Sequence, residues 1–185
     1  MTDDERKPAR KPPRKITPAY LQRAAMAYLE RYASSAENLR RVLRRKVENR
    51  CRLRGEDPAE FSDAIDEVVA RSLRAGLIDD TRYAEARLAS LRRRGGSTRS
   101  IRAKLALKGV DRDTIATVMA GEEEGADQEE QAARALARRR RIGPFRLGER
   151  APYRDKDLAI LARAGFPFTL ARRVIDGDVT GEDET

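Results

Sequence analysis

Apolar residues recur along this chain every three or four positions, in short blocks separated by glycine, proline or a capping residue. That spacing puts one apolar stripe on the face of an α-helix. The first block holds Leu21, Ala25, Tyr28, Leu29 and Tyr32 behind Thr17-Pro18, a cap followed by proline at the first helical position. The second opens at Ser35 and carries Leu39, Val42, Leu43 and Val47, with Arg40, Arg41, Arg44 and Arg45 on the other side. Residues 51–55 are expected to fray toward a loop. Asp57-Pro58-Ala59-Glu60 then predicts a capped restart, with Phe61, Ile65, Val68, Val69 and Leu73 inward and a stop at Gly76.

The same pattern runs on. Asp79 and Asp80 precede a helix carrying Tyr83, Ala84, Leu88 and Leu91. Gly95-Gly96 breaks the chain, and Ser97 caps a fifth helix with Ile101 and Leu105 inward, stopped by Gly109. Asp111 caps a sixth, with Ile115, Val118 and Met119 inward and Gly121 at its end. Residues 121–130 are acidic and read as a linker, with Asp127 and Glu130 forming a capping box. A seventh helix over about 128–141 has only Ala132, Ala135 and Leu136 as an apolar face. Residues 142–153 read as a loop. An eighth helix carries Leu158 and Leu161 up to Gly165, and Pro167 opens a ninth with Leu170, Val174 and Ile175. No segment alternates with the period of a strand, and aromatic residues are 5%. The predicted class is all-α.

The helices come in threes. Leu39, Leu43 and Lys46 correspond to Ile101, Leu105 and Lys108 at an offset of 62 residues; Leu105, Gly109 and Val118 correspond to Leu161, Gly165 and Val174 at an offset of 56. Three tandem three-helix repeats follow: 17–76, 77–121 and 122–176, the last with the acidic linker at its start. They lie between a basic, disordered tail (1–16) and an acidic tail (177–185). One such unit is marginal alone, so neighbours are expected to share core in an elongated, curved array.

Composition narrows the chemistry. The 185 residues hold one Cys and no His. An intrachain disulfide, the usual zinc ligand sets and the His-dependent nucleophile systems are therefore excluded. No apolar run approaches the length of a membrane span, and the N-terminus lacks the apolar stretch of a secretory signal, so a cytoplasmic location is expected. A monomer without metal or cofactor is expected as well. No P-loop occurs. Asp79-Asp80 suits a helix start better than a metal site, because a third ligand is missing. The acidic run Glu122, Glu123, Glu124, Asp127, Glu129 and Glu130 reads as solvated linker rather than nuclease centre.

Lys and Arg number 40 against 31 Asp and Glu, a net charge of +9. The densest basic set, Arg92, Arg93, Arg94, Arg99, Arg102, Lys104 and Lys108, surrounds the fourth-to-fifth helix turn. It has the charge to neutralise several phosphates or to meet an acidic protein surface. Gly95-Gly96-Ser97 could hold a phosphate at a helix N-terminus, although a plain turn explains the glycines equally well. Arg40 and Arg44, with Arg41 and Arg45, offer a similar face in the first repeat, and residues 138–141 are four consecutive arginines. Tyr20, Tyr28, Tyr32, Tyr83 and Phe61 fall on or beside buried stripes. Phe145, Tyr153, Phe166 and Phe168 are freer but make no platform for stacking bases.

Three motifs carry a specific resemblance. Residues 76–84 (GLIDDTRYA), residues 101–110 (Ile101, Arg102, Lys104, Leu105, Lys108, Gly109, Val110) and residues 158–166 (Leu158, Leu161, Arg163, Gly165, Phe166) resemble, in order and spacing, the motifs of the RecX family of bacterial recombinase regulators. The resemblance covers about residues 20–176. It implies three tandem three-helix repeats, with Asp79, Asp80, Tyr83 and Ala84 at the first repeat junction and Gly109 and Gly165 ending helices. It also implies binding to the RecA filament on single-stranded DNA, lying in its groove. Suppression of ATPase, strand-exchange and coprotease activity, and no catalysis of its own, are further implications. The rival readings are a direct DNA-binding protein, in which the fifth and sixth helices form a helix-turn-helix, and a metal-dependent nuclease.

Overall fold

The computed structural model describes residues 14–121 and 126–177. Capping side chains start four helices as the sequence predicts. Thr17 Oγ1 accepts from the Tyr20 N–H at 3.2 Å, Ser35 Oγ from Asn38 at 3.2 Å, Ser97 Oγ from Ser100 at 3.1 Å and Asp111 Oδ1 from Thr114 at 2.8 Å. Each satisfies an amide that has no partner within its helix. Among the described residues there are nine α-helices and no strand: α1 (Pro18–Leu29), α2 (Ala36–Arg54), α3 (Ser62–Arg74), α4 (Asp80–Arg93), α5 (Thr98–Leu107), α6 (Arg112–Ala120), α7 (Ala126–Arg140), α8 (Arg154–Arg163) and α9 (Phe168–Asp176). The fold is all-α and built of three-helix sets. The chain divides into two compact units, one ending at Asp79 and one beginning at Asp80.

The first unit has one core, in which Leu21 and Ala25 of α1 meet Leu39, Leu43, Val47 and Cys51 of α2 and Ile65, Val68 and Val69 of α3. Five details differ from the sequence reading. α2 does not fray at Cys51, because Cys51 falls one turn beyond Val47 on the same stripe and is fully buried; Gly55 caps the helix. Pro58–Phe61 is a 3-10 turn before α3, with Asp57 Oδ1 accepting from the Ala59 N–H at 2.9 Å. Ser72 rather than Leu73 turns inward, and its hydroxyl donates to the Val68 carbonyl at 2.8 Å. Tyr32 lies beyond the end of α1 and is 57% exposed. Ile16, which the sequence assigns to the basic tail, is buried in this core, as is Ile78. Residues 1–13 of that tail lie outside the described residues.

The second unit has two cores. One joins Ala84, Leu88 and Leu91 of α4 to Ile101 and Leu105 of α5, Val110, and Ile115, Val118 and Met119 of α6. The other joins Ala132, Ala133, Leu136 and Ala137 of α7 to Leu158 and Leu161 of α8, Phe166, and Leu170, Ala171, Val174 and Ile175 of α9. α7 begins at Ala126, earlier than read, so Asp127 sits in its first turn instead of capping it. Its inward face is mostly alanine, which gives a weak sequence signal yet allows close backbone approach. Phe166, read as a freer aromatic, is buried. The loop after α7 contains two 3-10 turns and is organised by Asp157, only 1% exposed, which accepts from the Gly143 N–H at 2.9 Å and pairs with Arg146. Glu122–Glu124 and residues 178–185, both read as acidic solvated segments, lie outside the described residues.

Candidate functional site

The two cores of the second unit meet at the turn between α4 and α5. Gly95 has φ +75°, and a Cβ there would stand 2.6 Å from the Leu136 amide nitrogen and 2.7 Å from the Ala132 carbonyl oxygen. Only glycine lets this turn seat directly on the α7 backbone. One turn further on, Ser97 Oγ donates to the Ala164 carbonyl at 2.6 Å. Gly165, with φ +95°, makes room for that contact, because a Cβ there would lie 2.7 Å from Ser97 Oγ and 3.3 Å from Arg99 Cβ.

Glu129 locks the other side of the junction. Its carboxylate accepts from Arg92 Nη1 at 2.6 Å, Thr98 Oγ1 at 2.6 Å and the Thr98 N–H at 3.0 Å. Arg92 also donates to the Gly96 carbonyl at 3.0 Å. Arg92 is therefore held inside the protein, and Glu129, read as linker, ties α7 to the start of α5. A carboxylate at a helix N-terminus also complements the helix dipole.

Between these contacts lies a cleft of about 560 Å³. Arg87 and Arg94 reach it from the α4 side, Lys104 from α5, Arg139 and Arg140 from α7, and Arg163 from α8. Among the described residues, no acidic side chain lines it. None of these six cations forms an ion pair with a described carboxylate, and the Nε of Arg87 is buried without a hydrogen-bond partner. Leu91, Leu136, Ile160 and Ala164 contribute an apolar wall.

Of the basic residues singled out in the sequence, Arg94 and Lys104 line this cleft. Arg93 instead lines a shallower depression with Arg92, Gln128 and Gln131. Arg99 and Arg102 are exposed on α5, and Lys108 ends that helix. Arg44 and Arg45 are exposed on α2. Arg40 is engaged within its own unit, bonding Asp66 at 2.6 Å and Glu37 at 2.7 Å, and those carboxylates hold its guanidinium above the usual pKa. Arg138 lies over the Phe145 ring at 5.2 Å, apart from its two neighbours in the cleft. Arg87 and Arg163 were missed as site residues because each is one arginine among many; only the packing of α7 against both α4 and α8 brings them together.

The remaining motif residues have architectural positions. Asp80 opens α4 and Asp79 precedes it; Ala84 is fully buried and Tyr83 packs against the same core. Gly109 turns the chain after α5. Among the described residues, no group of three or more His, Cys, Asp or Glu is placed to hold a metal ion, and no helix is long and apolar enough to cross a membrane.

Residues 79–119, which include the α4–α5 turn, match the family model described as RecX, second three-helix domain. Over 94% of its length the chain is 44% identical to Regulatory protein RecX of Myxococcus xanthus, covering 92% of that protein. It is 32% identical over 80% of its length to Regulatory protein RecX of Mycobacterium ulcerans, covering 89% of it. The namesake from Mycobacterium tuberculosis H37Ra is 36% identical over 66% of the chain and 71% of its own length.

Proposed function

Because the chain belongs to the RecX family of regulatory proteins, we propose that it is a non-enzymatic regulator of the RecA recombinase in the bacterial cytoplasm. It binds the RecA filament on single-stranded DNA and lowers its ATPase, strand-exchange and coprotease activities. The action is occlusive: basic side chains meet phosphates and acidic protein surface in the filament groove and hinder the motions linked to ATP turnover. In the second unit the contact surface is the cleft with Arg94 and Lys104, together with Arg93, Arg99, Arg102 and Lys108; in the first unit Arg44 offers a separate contact. The observation that carries this reading is the gathering of unpaired cations beside the family-matched α4–α5 turn, in a chain 44% identical to a regulatory RecX.

The rival reading, direct sequence-specific DNA binding through α5 and α6, has less support. The solvent face of α6 presents Asp113, Ala116, Thr117 and Ala120, with Arg112 as its only cation. That is a poor set for reading base edges.

The test is the single-strand-dependent ATPase of the host recombinase, titrated with this protein at fixed salt beside its binding to naked DNA. Inhibition well below one molecule per recombinase monomer, where naked DNA is barely bound, is expected. Inhibition only at concentrations that coat the DNA would overturn the reading in favour of direct DNA binding.

A further inference from the structure

The cleft has a feature that a flat solvated basic face lacks: it is concave, with cations converging on it from several elements beside an apolar wall. Arg87, Arg94, Lys104, Arg139, Arg140 and Arg163 come from four helices, and no carboxylate stands among them. Cations held together repel, and long exposed side chains ordinarily relieve this by finding acids or spreading into water. Some arginines of this protein find acids, as Arg40, Arg54, Arg74, Arg92, Arg134, Arg146 and Arg154 do, and others, such as Arg44, Arg45, Arg99 and Arg102, spread into water from an exposed helix face. The cleft set does neither: its cations converge on one concavity without an acid, and the buried Arg87 Nε is a charged donor with no acceptor in the protein. An unpaired buried donor is costly unless water or a ligand supplies the acceptor, and an anionic ligand also answers the charge.

The ligand must bring several acceptor oxygens and several negative charges into about 560 Å³. Planar guanidinium groups suit phosphate, which they grip through two parallel hydrogen bonds. The volume falls in the range of small-ligand pockets, and the wall of Leu91, Leu136, Ile160 and Ala164 offers an apolar surface beside the charges. Adjacent phosphates joined to a flat, partly apolar body describe a nucleotide.

We propose that this cleft binds the phosphate chain of a nucleotide, with the base and sugar against the Leu91–Ile160 wall. The nucleotide is a free nucleoside polyphosphate or a unit of a single strand; the shared chemistry is closely spaced phosphate. The inference deepens the assignment of this cleft as contact surface, since it names what the cleft grips, but it holds without any recombinase present.

The experiment is calorimetric titration of the full chain at low salt with inorganic tripolyphosphate, ATP and a five-residue oligothymidylate. Tripolyphosphate and ATP are expected to saturate at one per chain, with ATP tighter through its apolar contact. The Lys104→Glu/Arg163→Glu variant is expected to weaken both at least about tenfold. Arg23→Glu/Arg31→Glu makes the same charge change on exposed residues in the first unit and is expected to leave them within about twofold. Arg87→Gln, which keeps a donor but removes the charge, provides a second, milder loss. Oligothymidylate that displaces ATP identifies the strand as a source; failure to displace it identifies free nucleotide. No saturable binding of tripolyphosphate or ATP, or undiminished binding in the folded cleft variants, overturns the proposal. Wild-type protein that inhibits the recombinase yet takes up no nucleotide sinks this inference alone. Protein that takes up nucleotide yet inhibits nothing sinks the regulatory reading alone.

Discussion

α2 of the first unit and α5 of the second occupy equivalent repeat positions, yet their charges have different fates. On α2, Arg40 and Arg41 both bond Glu37, and Arg40 also reaches Asp66 on α3. On α5, Lys104 faces a cleft that holds five more cations and no acid. Both helices are basic in sequence. Part of the difference is local, since Glu37 lies on α2 itself; the rest lies in what packs alongside, because α3 brings Asp66 to α2 whereas α7 and α8 bring arginines to the cleft beside α5. Available charge is therefore a property of the neighbours and not of the arginine count.

The comparison can be broken most severely at Gly95. Gly95→Val would place a β-branched side chain at φ +75° and drive its Cβ into the α7 backbone. A loss of about 3 kcal/mol or more is expected in denaturant unfolding, with the cleft lost as well. A near-neutral variant would mean that the two cores of the second unit do not need this seating. Glu129→Ala ranks next. It strips partners from the Thr98 amide and from Arg92, and should cost about 2 kcal/mol by the same measurement.

Charge reversal separates binding from folding. Arg99→Glu/Arg102→Glu/Lys104→Glu should raise the concentration needed to inhibit the recombinase ATPase about tenfold or more, while Tm moves by only a few degrees. Normal inhibition would place the contact elsewhere. Arg40→Ala sharpens the contrast from the other side. It should cost less than about 1 kcal/mol, because the pair with Asp66 is partly exposed, and should leave inhibition unchanged.

The smallest effect concerns pH. Arg154 grips both oxygens of Asp176 at 2.7 Å and so holds that carboxyl below its ordinary range. A carboxyl with a depressed folded pKa stabilises the fold above its unfolded pKa, and the gain disappears as pH falls through the folded value. The Tm difference between wild type and Asp176→Asn should thus be constant above the range of an ordinary carboxyl and shrink as pH falls through the lower, folded value. The pair is partly exposed and screened by solvent, so this is the smallest of the expected differences. A Tm difference that grew as pH fell would contradict this assignment.

Much of the fold was legible because its signals are local. A cap such as Ser97 or Asp111 acts within three residues, and a stripe such as Leu39, Leu43 and Val47 needs only helical spacing. Where the reading missed, a distant partner decided. Cys51 stays helical because it completes a buried stripe, Ile16 leaves the basic tail because the first core receives it, and Phe166 is covered by the third. The inward alanines of α7 carry almost no signal by themselves; their value is closeness, which depends on what approaches.

The sequence by itself determined the helices, their caps, the threefold recurrence and the motifs that led to the family. These follow from backbone propensity and apolar periodicity, which act over one or two turns. Only the tertiary structure decided which charges are paired and which converge. Glu129 reaches Thr98, and Arg87 and Arg163 come to share a cleft, because α7 and α8 pack on the α4–α5 turn. Electrostatic environment depends on distance through space, and residues separated by dozens of positions carry no local mark of the neighbours they will meet.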